Sequence, residues 1–324
     1  MVSICCLAYN HEHYIADAIE GFLNQKTKFN YEIIIHEDAS TDTTKEIIKE
    51  YEMKYPDMIK PIYQSENQYS KGVNPVLLLQ EQVRGKYVAI CEGDDYWLDA
   101  GKLQKQIEYM EENPTCTFCF HNGYVKDENS IKGLHPIVPW MPENHKMYSN
   151  KNRRYNAGEL QLLGYIPTGS FLFPKTVIDN PPQWFFEAPV LDNAIKLLAT
   201  SKGYAYYMND LMCVYRFNVP DSVTTKWSEE SKEQIVHRCN GFIKLLNNFN
   251  EYTNKEFDKE MELAKLTWEI QKYTLNENYQ ELKNRKYNNY LKLLNGKERW
   301  RALISMRYPL VVNYYRRWKN HSPV

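Results

Sequence analysis

The segment Tyr87–Leu98, YVAICEGDDYWL, closes an apolar run with three carboxylates, Glu92, Asp94 and Asp95, set around Gly93. Neighbouring carboxylates raise one another's pKa, so bare anions side by side carry a cost that a cation removes. A hard divalent ion such as Mg or Mn prefers oxygen ligands and typically takes one or two carboxylates plus substrate phosphates. A short acidic turn is then sufficient protein input if a diphosphate brings the remaining ligands. Gly93 is expected to keep the turn open where a ligand approaches. Asp-Asp is ordinarily a solvated surface turn, but this one follows a buried strand, and two other apolar runs also end in polar residues. These are Tyr9-Asn10 after VSICCLA and His36-Glu37-Asp38 after YEIII. A further acid, Asp192 in APVLDNAIKLL, falls in the first turn of a helix, where it is either a group stabilised by the helix dipole or a general base. Cys116 and Cys119 form a C-x-x-C near His121. On a strand, residues three apart point to opposite faces, so these cysteines are expected to fill apolar space rather than bind metal.

The elements that would position these groups follow from periodicity. VSICCLAYN, YEIIIHE, IKPIYQSE and KYVAIC are short apolar runs of the kind buried on both faces of a sheet. Between them lie helical patterns: Ile15, Ala18, Ile19, Phe22 and Leu23 in the first, TDTTKEIIKEYEMKY in the second, with Ser40 and Asp42 as capping side chains, and NPVLLLQEQVRG in the third. DAGKLQKQIEYMEENP ends at Pro114. Alternation with short links predicts an α/β fold with a mainly parallel twisted sheet flanked by helices. Ligands in such sheets sit beyond the carboxyl ends of the strands, which places the three polar clusters on one rim. Beyond Thr115, CTFCFHNGYV, SFLFP, YAYYM and MCVYRF read as strands, and a Pro- and Asn-rich stretch near 126–156 reads as a loop over a cleft. LDNAIKLLATSKG is a helix stopped by Gly203. The expected division is residues 1–226 for this unit and 227–324 for a C-terminal helical region.

Composition narrows the class. The 324 residues are 43% hydrophobic and 25% charged, with net charge -1, which gives no global field for nucleic acid. The 26 tyrosines suit sugars and bases as well as cores. Seven cysteines without a disulfide-scaffold spacing, a strand expected from Val2 and the absence of a bilayer-length apolar run read as a reduced, cytoplasmic protein. A dinucleotide dehydrogenase is disfavoured because no G-x-G-x-x-G follows the first strand, and a nucleotidyltransferase because LAYNHEHYI is neither Gly-rich nor basic.

CLAYN, EDASTDTT and CEGDD, in that order, resemble the early motifs of inverting family-2 glycosyltransferases with the GT-A fold, over roughly residues 2–115 with weaker echoes to about 225. The resemblance implies non-processive transfer of a sugar from a nucleotide-diphosphate donor, UDP foremost, to a glycan or lipid-linked saccharide, assisted by Mn or Mg. It implies Ala8, Tyr9, Asn10, Asp38, Glu92, Asp94 and Arg216 on the nucleotide and donor side. Tyr9 would face the base and Asp38 accept from its N–H, Asp94 would face the ribose and donor sugar, and Arg216 would face the diphosphate or serve as an ion-pair partner. It implies Asp95 as metal ligand and Asp192 as base. Trp97, Thr168, Gly169 and Ser170 would line the sugar and acceptor cleft, although Trp97 could equally cover the core. A non-catalytic sugar-binding or scaffold protein on the same fold is the alternative.

The pattern departs from the family at Leu7-Ala8, where Pro-Thr is usual, at Glu37, at Leu191 and at Asn218, where a metal-binding His often stands. GKERW lacks the Gln of the processive motif. The tail 297–319 carries seven basic residues against the single acid Glu298, with aromatic and aliphatic residues between them. That composition suits either contact with the anionic inner face of a membrane or a helix pair with solvated charges. Pro309 divides it.

Overall fold

A computed structural model describes residues 1–73, 75–130, 133–137, 151–220, 222–278, 280–287, 291, 299–300 and 303–304. The first half alternates β1 (Val2–Ala8), α1 (Ile15–Leu23), β2 (Tyr31–Glu37), α2 (Thr44–Lys54), β3 (Ile59–Tyr63), α3 (Pro75–Gln80) and β4 (Tyr87–Ile90). There follow β5 (Tyr96–Trp97), α4 (Lys102–Glu112), β6 (Cys116–Asp127), β7 (His135–Pro136), β8 (Arg153–Tyr155), α5 (Ala157–Leu162) and β9 (Leu172–Pro174). The chain then forms α6 (Leu191–Thr200), β10 (Tyr204–Phe217), α7 (Val223–Ser228), α8 (Lys232–Tyr252) and α9 (Asp258–Leu275).

One sheet runs in the order β3-β2-β1-β4-β9-β6-β10-β5, with β7 added to β6 and β8 to β10. β3, β2, β1 and β4 are mutually parallel. β9 is antiparallel to both β4 and β6, and β6 is parallel to β10. Successive strands move outward from β1 through β2 to β3, and the chain then returns to lay β4 on the other side of β1. The carboxyl ends of β1 and β4 therefore flank a topological switch point, the crevice where open α/β sheets bind ligands.

Burial on both faces explains the unbroken apolar runs. In β1 every residue except Leu7 is buried, and alternate side chains enter different cores. Ile4, Cys6, Ile33, Ile35 and Ala89 meet Ile15, Ala18, Ile19 and Phe22 of α1 and Leu103, Ile107 and Met110 of α4. Cys5, Ile34, Val88 and Ile90 face the opposite core, shared with Ala194, Ile195, Leu197 and Leu198 of α6. Phe242, Leu245, Leu246 and Phe249 of α8 and Met261 and Ala264 of α9 belong to that same core. α8 and α9, which follow residue 226, thus share a core with the sheet.

Two expectations are corrected. YAYYM and MCVYRF form one strand, β10, whose register against β6 shifts between Met208 and Leu211 and again before Val214. Cys116 and Cys119 lie on one side of β6, because Cys116 pairs with Tyr204 while Phe118 pairs with Ala205, leaving Thr117 as an extra residue that inverts the alternation. Both thiols are nevertheless free and buried, as apolar filling. β5, which follows the acidic turn and pairs with β10, is too short to leave a periodic signal. Most of the tail 297–319, and much of the expected cleft loop, fall outside the described residues. Among the described residues no helix is long and apolar enough to cross a membrane.

Candidate active site at the strand ends

β1 and β2 end side by side, with Ala8 opposite Glu37. The residues after them are stitched together. Asn10 N–H donates to Ser40 Oγ (3.1 Å), Thr41 N–H to Asn10 Oδ1 (2.8 Å) and His11 N–H to Thr44 Oγ1 (2.7 Å). Glu12 N–H donates to Asp42 Oδ2 (3.1 Å), and Thr43 N–H to Glu12 Oε2 (3.0 Å). Two left-handed residues, Asn10 (φ 55°) and Ala39 (φ 58°), turn the chain there. For Ala39 that conformation is strained, by about 1–2 kcal/mol. Asp42 Oδ1 also takes the Thr44 N–H (2.9 Å) at the start of α2, whereas Ser40, expected as a cap, serves Asn10 instead. Buried Asp38 accepts the N–H groups of Gln68 (2.7 Å) and Tyr69 (3.0 Å), so it organises the loop after β3, and its own N–H donates to the Ala8 carbonyl (3.0 Å). Tyr9 is partly buried beside them.

The acidic turn continues the β1–β4 ladder, through Cys91 N–H to Cys5 O (3.1 Å) and Gly93 N–H to Leu7 O (2.8 Å). A Cβ on Gly93 would come within 2.7 Å of His11 Nδ1 and 2.9 Å of Ile15 Cδ1. The glycine therefore makes room for His11 and Ile15, a packing role beside the expected one of leaving space for a ligand. Glu92, Asp94 and Asp95 each offer an oxygen, all within 4.8 Å of one another. Burial pushes the Glu92 pKa up to about 8, helped by Asp94 and Asp192 and opposed by the Thr168 hydroxyl. Burial, then Asp94 and Glu92, hold Asp95 well above the usual carboxylate range. Asp95 Oδ1 accepts the Arg216 N–H (2.8 Å), while Oδ2 is buried with no hydrogen-bond partner among the described residues. A buried, unpartnered carboxylate oxygen beside two more acids fits a hard divalent cation.

Asp192, in the first turn of α6, lies near enough to Glu92 to raise its pKa. Burial raises the pKa of Asp192 itself, opposed by Lys196 and by the Asn193 N–H, which donates to Oδ1 (2.6 Å). Lys196, one turn along, is buried and donates to the Gly164 carbonyl (3.2 Å). Sequence reading missed Lys196, and it missed His11, whose Nε2 lies 4.0 Å from Asp94 Oδ2 and whose burial lowers its pKa. Spacing was the available signal: Lys196 is four residues from Asp192, and His11 is three from the end of β1.

Several expected contacts are placed differently. Trp97 is 4% exposed; it packs on Phe22, lies under Lys102 Nζ at 3.9 Å and donates from Nε1 to the Gly169 carbonyl (2.8 Å). It covers the core and holds the Thr168–Ser170 turn, so it cannot stack an acceptor sugar. Ser170 is fully buried, with Oγ donating to Pro167 O (2.6 Å), and Gly169 is buried; of the three, Thr168 reaches the cleft. Asn218, at φ 63°, donates to Asp127 Oδ1 (2.8 Å) and so is tied to the end of β6. Arg216 is buried against Asp17, Glu128 and the Asp94 carbonyl, so its contacts are those of an ion-pair partner. A groove of about 440 Å³, lined by Tyr69, Val223, Lys226, Trp227, Glu229, Glu230 and Gln234, lies where the loop after β3 meets α7.

The sequence model of Glycosyl transferase family 2 matches residues 3–179, more than half of the 324 residues. The chain belongs to that family. The match takes in β1 through β9, and so the acids of the rim other than Asp192; Arg216 lies beyond it as well. TuaG of Bacillus subtilis, described as a putative teichuronic acid biosynthesis glycosyltransferase, is 30% identical over 240 residues, covering 74% of this chain and 87% of TuaG. WfaP of Escherichia coli, a UDP-Glc:alpha-D-GlcNAc-diphosphoundecaprenol beta-1,3-glucosyltransferase, is 34% identical over 140 residues, 43% of this chain and 52% of WfaP. An uncharacterised protein of Mycobacterium tuberculosis is 44% identical over 141 residues, but the match spans only 43% of this chain and 40% of the relative. The family-2 fold extends to solved structures. Staphylococcus aureus TarS with UDP-GlcNAc superposes with a TM-score of 0.60 at 14% identity, over 91% of this chain and 81% of TarS. A Pyrobaculum calidifontis mannosyltransferase with GDP-Man and Mn2+ gives 0.52 at 12% identity, over 95% and 87%. These likenesses show the fold, and the expected GT-A architecture is present.

Proposed function

We propose that this family-2 chain is an inverting, non-processive glycosyltransferase that moves a sugar from a nucleotide-diphosphate donor to a saccharide hydroxyl. The observation that carries the reading is the gathering of acids near the switch point: an acidic turn in which one Asp95 oxygen has no hydrogen-bond partner among the described residues, and Asp192 near enough to Glu92 to raise its pKa. Asp38 and Tyr9, at the ends of β2 and β1, suit the base, a carboxylate accepting an N–H and an aromatic ring offering its face. Asp192 takes the proton of the acceptor hydroxyl as its oxygen bonds to the anomeric carbon and the bond to the diphosphate breaks. A base in a partly apolar site, with its pKa moved toward neutrality, is suited to that transfer. Mg or Mn, held by Asp95 with Asp94, would neutralise charge on the diphosphate. UDP is the favoured donor nucleotide and a lipid-linked saccharide the favoured acceptor, supported by the activity for which WfaP is named.

Calorimetric titration of UDP, dTDP and GDP, with and without Mn, on the wild type and Asp95→Ala tests this. One nucleotide bound in a manner that needs both Mn and Asp95 supports the site and selects the donor. Folded protein that binds none of them leaves the scaffold alternative.

A further inference from the structure

We infer that Arg216 is a positioning residue that aims the acidic turn at its ligand, braced by Asp17 on α1, and that it makes no contact with a diphosphate. This rests on the reading of that turn as a metal site.

Arg216 precedes the last residue of β10, and its side chain is 4% exposed. Nη1 donates to the Asp94 carbonyl (2.7 Å), Nη2 pairs with Asp17, and Nε lies 3.4 Å from Glu128 Oε1. The guanidinium also sits 5.1 Å from the Tyr14 ring and 4.4 Å from the Tyr96 ring. A guanidinium is a rigid planar fork of donors; here Nη1 and Nη2 donate to protein oxygens, whereas Nε, near Glu128 only as an ion pair, makes no hydrogen bond among the described residues. Its backbone N–H meanwhile takes Asp95 Oδ1, which leaves Oδ2 as the oxygen open to a ligand. One residue thus fixes both the backbone of Asp94 and the rotamer of Asp95. Asp17 is 57% exposed on the outer side of this arrangement, and its hydrogen bond to Nη2 is what ties it to the turn. Groups that orient metal ligands typically change metal affinity 10- to 100-fold when removed.

The test is titration of Mn, without nucleotide, into wild type, Arg216→Gln, Arg216→Lys, Asp17→Asn and the Asp17→Asn/Arg216→Gln double variant. A second arm compares UDP with UMP binding at saturating Mn. Positioning predicts a Mn affinity lowered at least about tenfold in Arg216→Gln. Asp17→Asn should show a smaller loss in the same direction, and the double variant should be no worse than Arg216→Gln. The preference for UDP over UMP should survive in every variant. A collapse of that preference with Mn affinity intact would overturn the inference in favour of a diphosphate contact. Unchanged Mn affinity in the folded variants would also overturn it. If Arg216→Gln fails to fold, Arg216→Lys and Asp17→Asn read the same outcomes. A wild type that binds neither Mn nor nucleotide would instead overturn the site reading itself.

Discussion

Asp192 lies near enough to Glu92 to raise its pKa, and burial raises the pKa of each, yet the two acids suit different tests. Asp192→Asn keeps the shape of the α6 turn and removes the proton acceptor, so kcat should fall by roughly 10²–10⁴ while donor affinity, read by calorimetry, stays put. Glu92 reports through stability. Folding raises its pKa from 4.5 to about 8, so its stabilising contribution is complete below pH 4.5 and is lost as pH climbs through 8. Thermal melts of metal-free protein should show a midpoint falling across that window, and Glu92→Gln should flatten the slope. The acids were legible because each ends a strand or opens a helix, a position that sequence periodicity reveals. Trp97, Ser170 and Arg216 were less so. Their type suits either ligand contact or core, and the choice depends on partners distant in sequence: Gly169 for Trp97, Gln106 for Ser170, Asp17 for Arg216.

Elements were legible wherever burial on both faces or a full amphipathic turn left a pattern, as in β1, α1 and β2. Irregular features were not. The extra residue at Thr117 and the shifts near Asn209 and Asp210 arise from pairing with β10 and leave no local mark. The stitching of the β1 and β2 loops was also hidden, because Ser40–Thr44 reads as a helix start. Two substitutions test these joints. Thr44→Val leaves the buried acceptor of His11 N–H missing and should cost about 1–3 kcal/mol, read by urea unfolding. Gly93→Ala should lower the melting temperature and weaken Mn binding together, because the added methyl pushes on His11 and Ile15 and so moves the turn. Stability loss with intact Mn affinity would mean the turn absorbs the clash elsewhere.

At the scale of the molecule, α8 and α9 complete the core beneath the second half of the sheet. Phe249, fully buried against Trp184 and Phe257, should cost about 3–5 kcal/mol as Phe249→Ala, and calorimetry should still show one transition. A separate early transition would mark the helical region as an independent unit. The position of β9 has a further consequence, for a chain still being made. The edge of β4 stays bare after its own synthesis until Leu172 arrives, and only then can β6 and β10 be joined to the first four strands. At about 5–20 residues per second that wait lasts roughly 4–16 s, with an unpaired parallel edge exposed throughout. Stalled nascent chains ending shortly before β9 should bind chaperone more strongly than those in which β9 has emerged. Equal binding would show that something other than β9 shields β4 in the meantime.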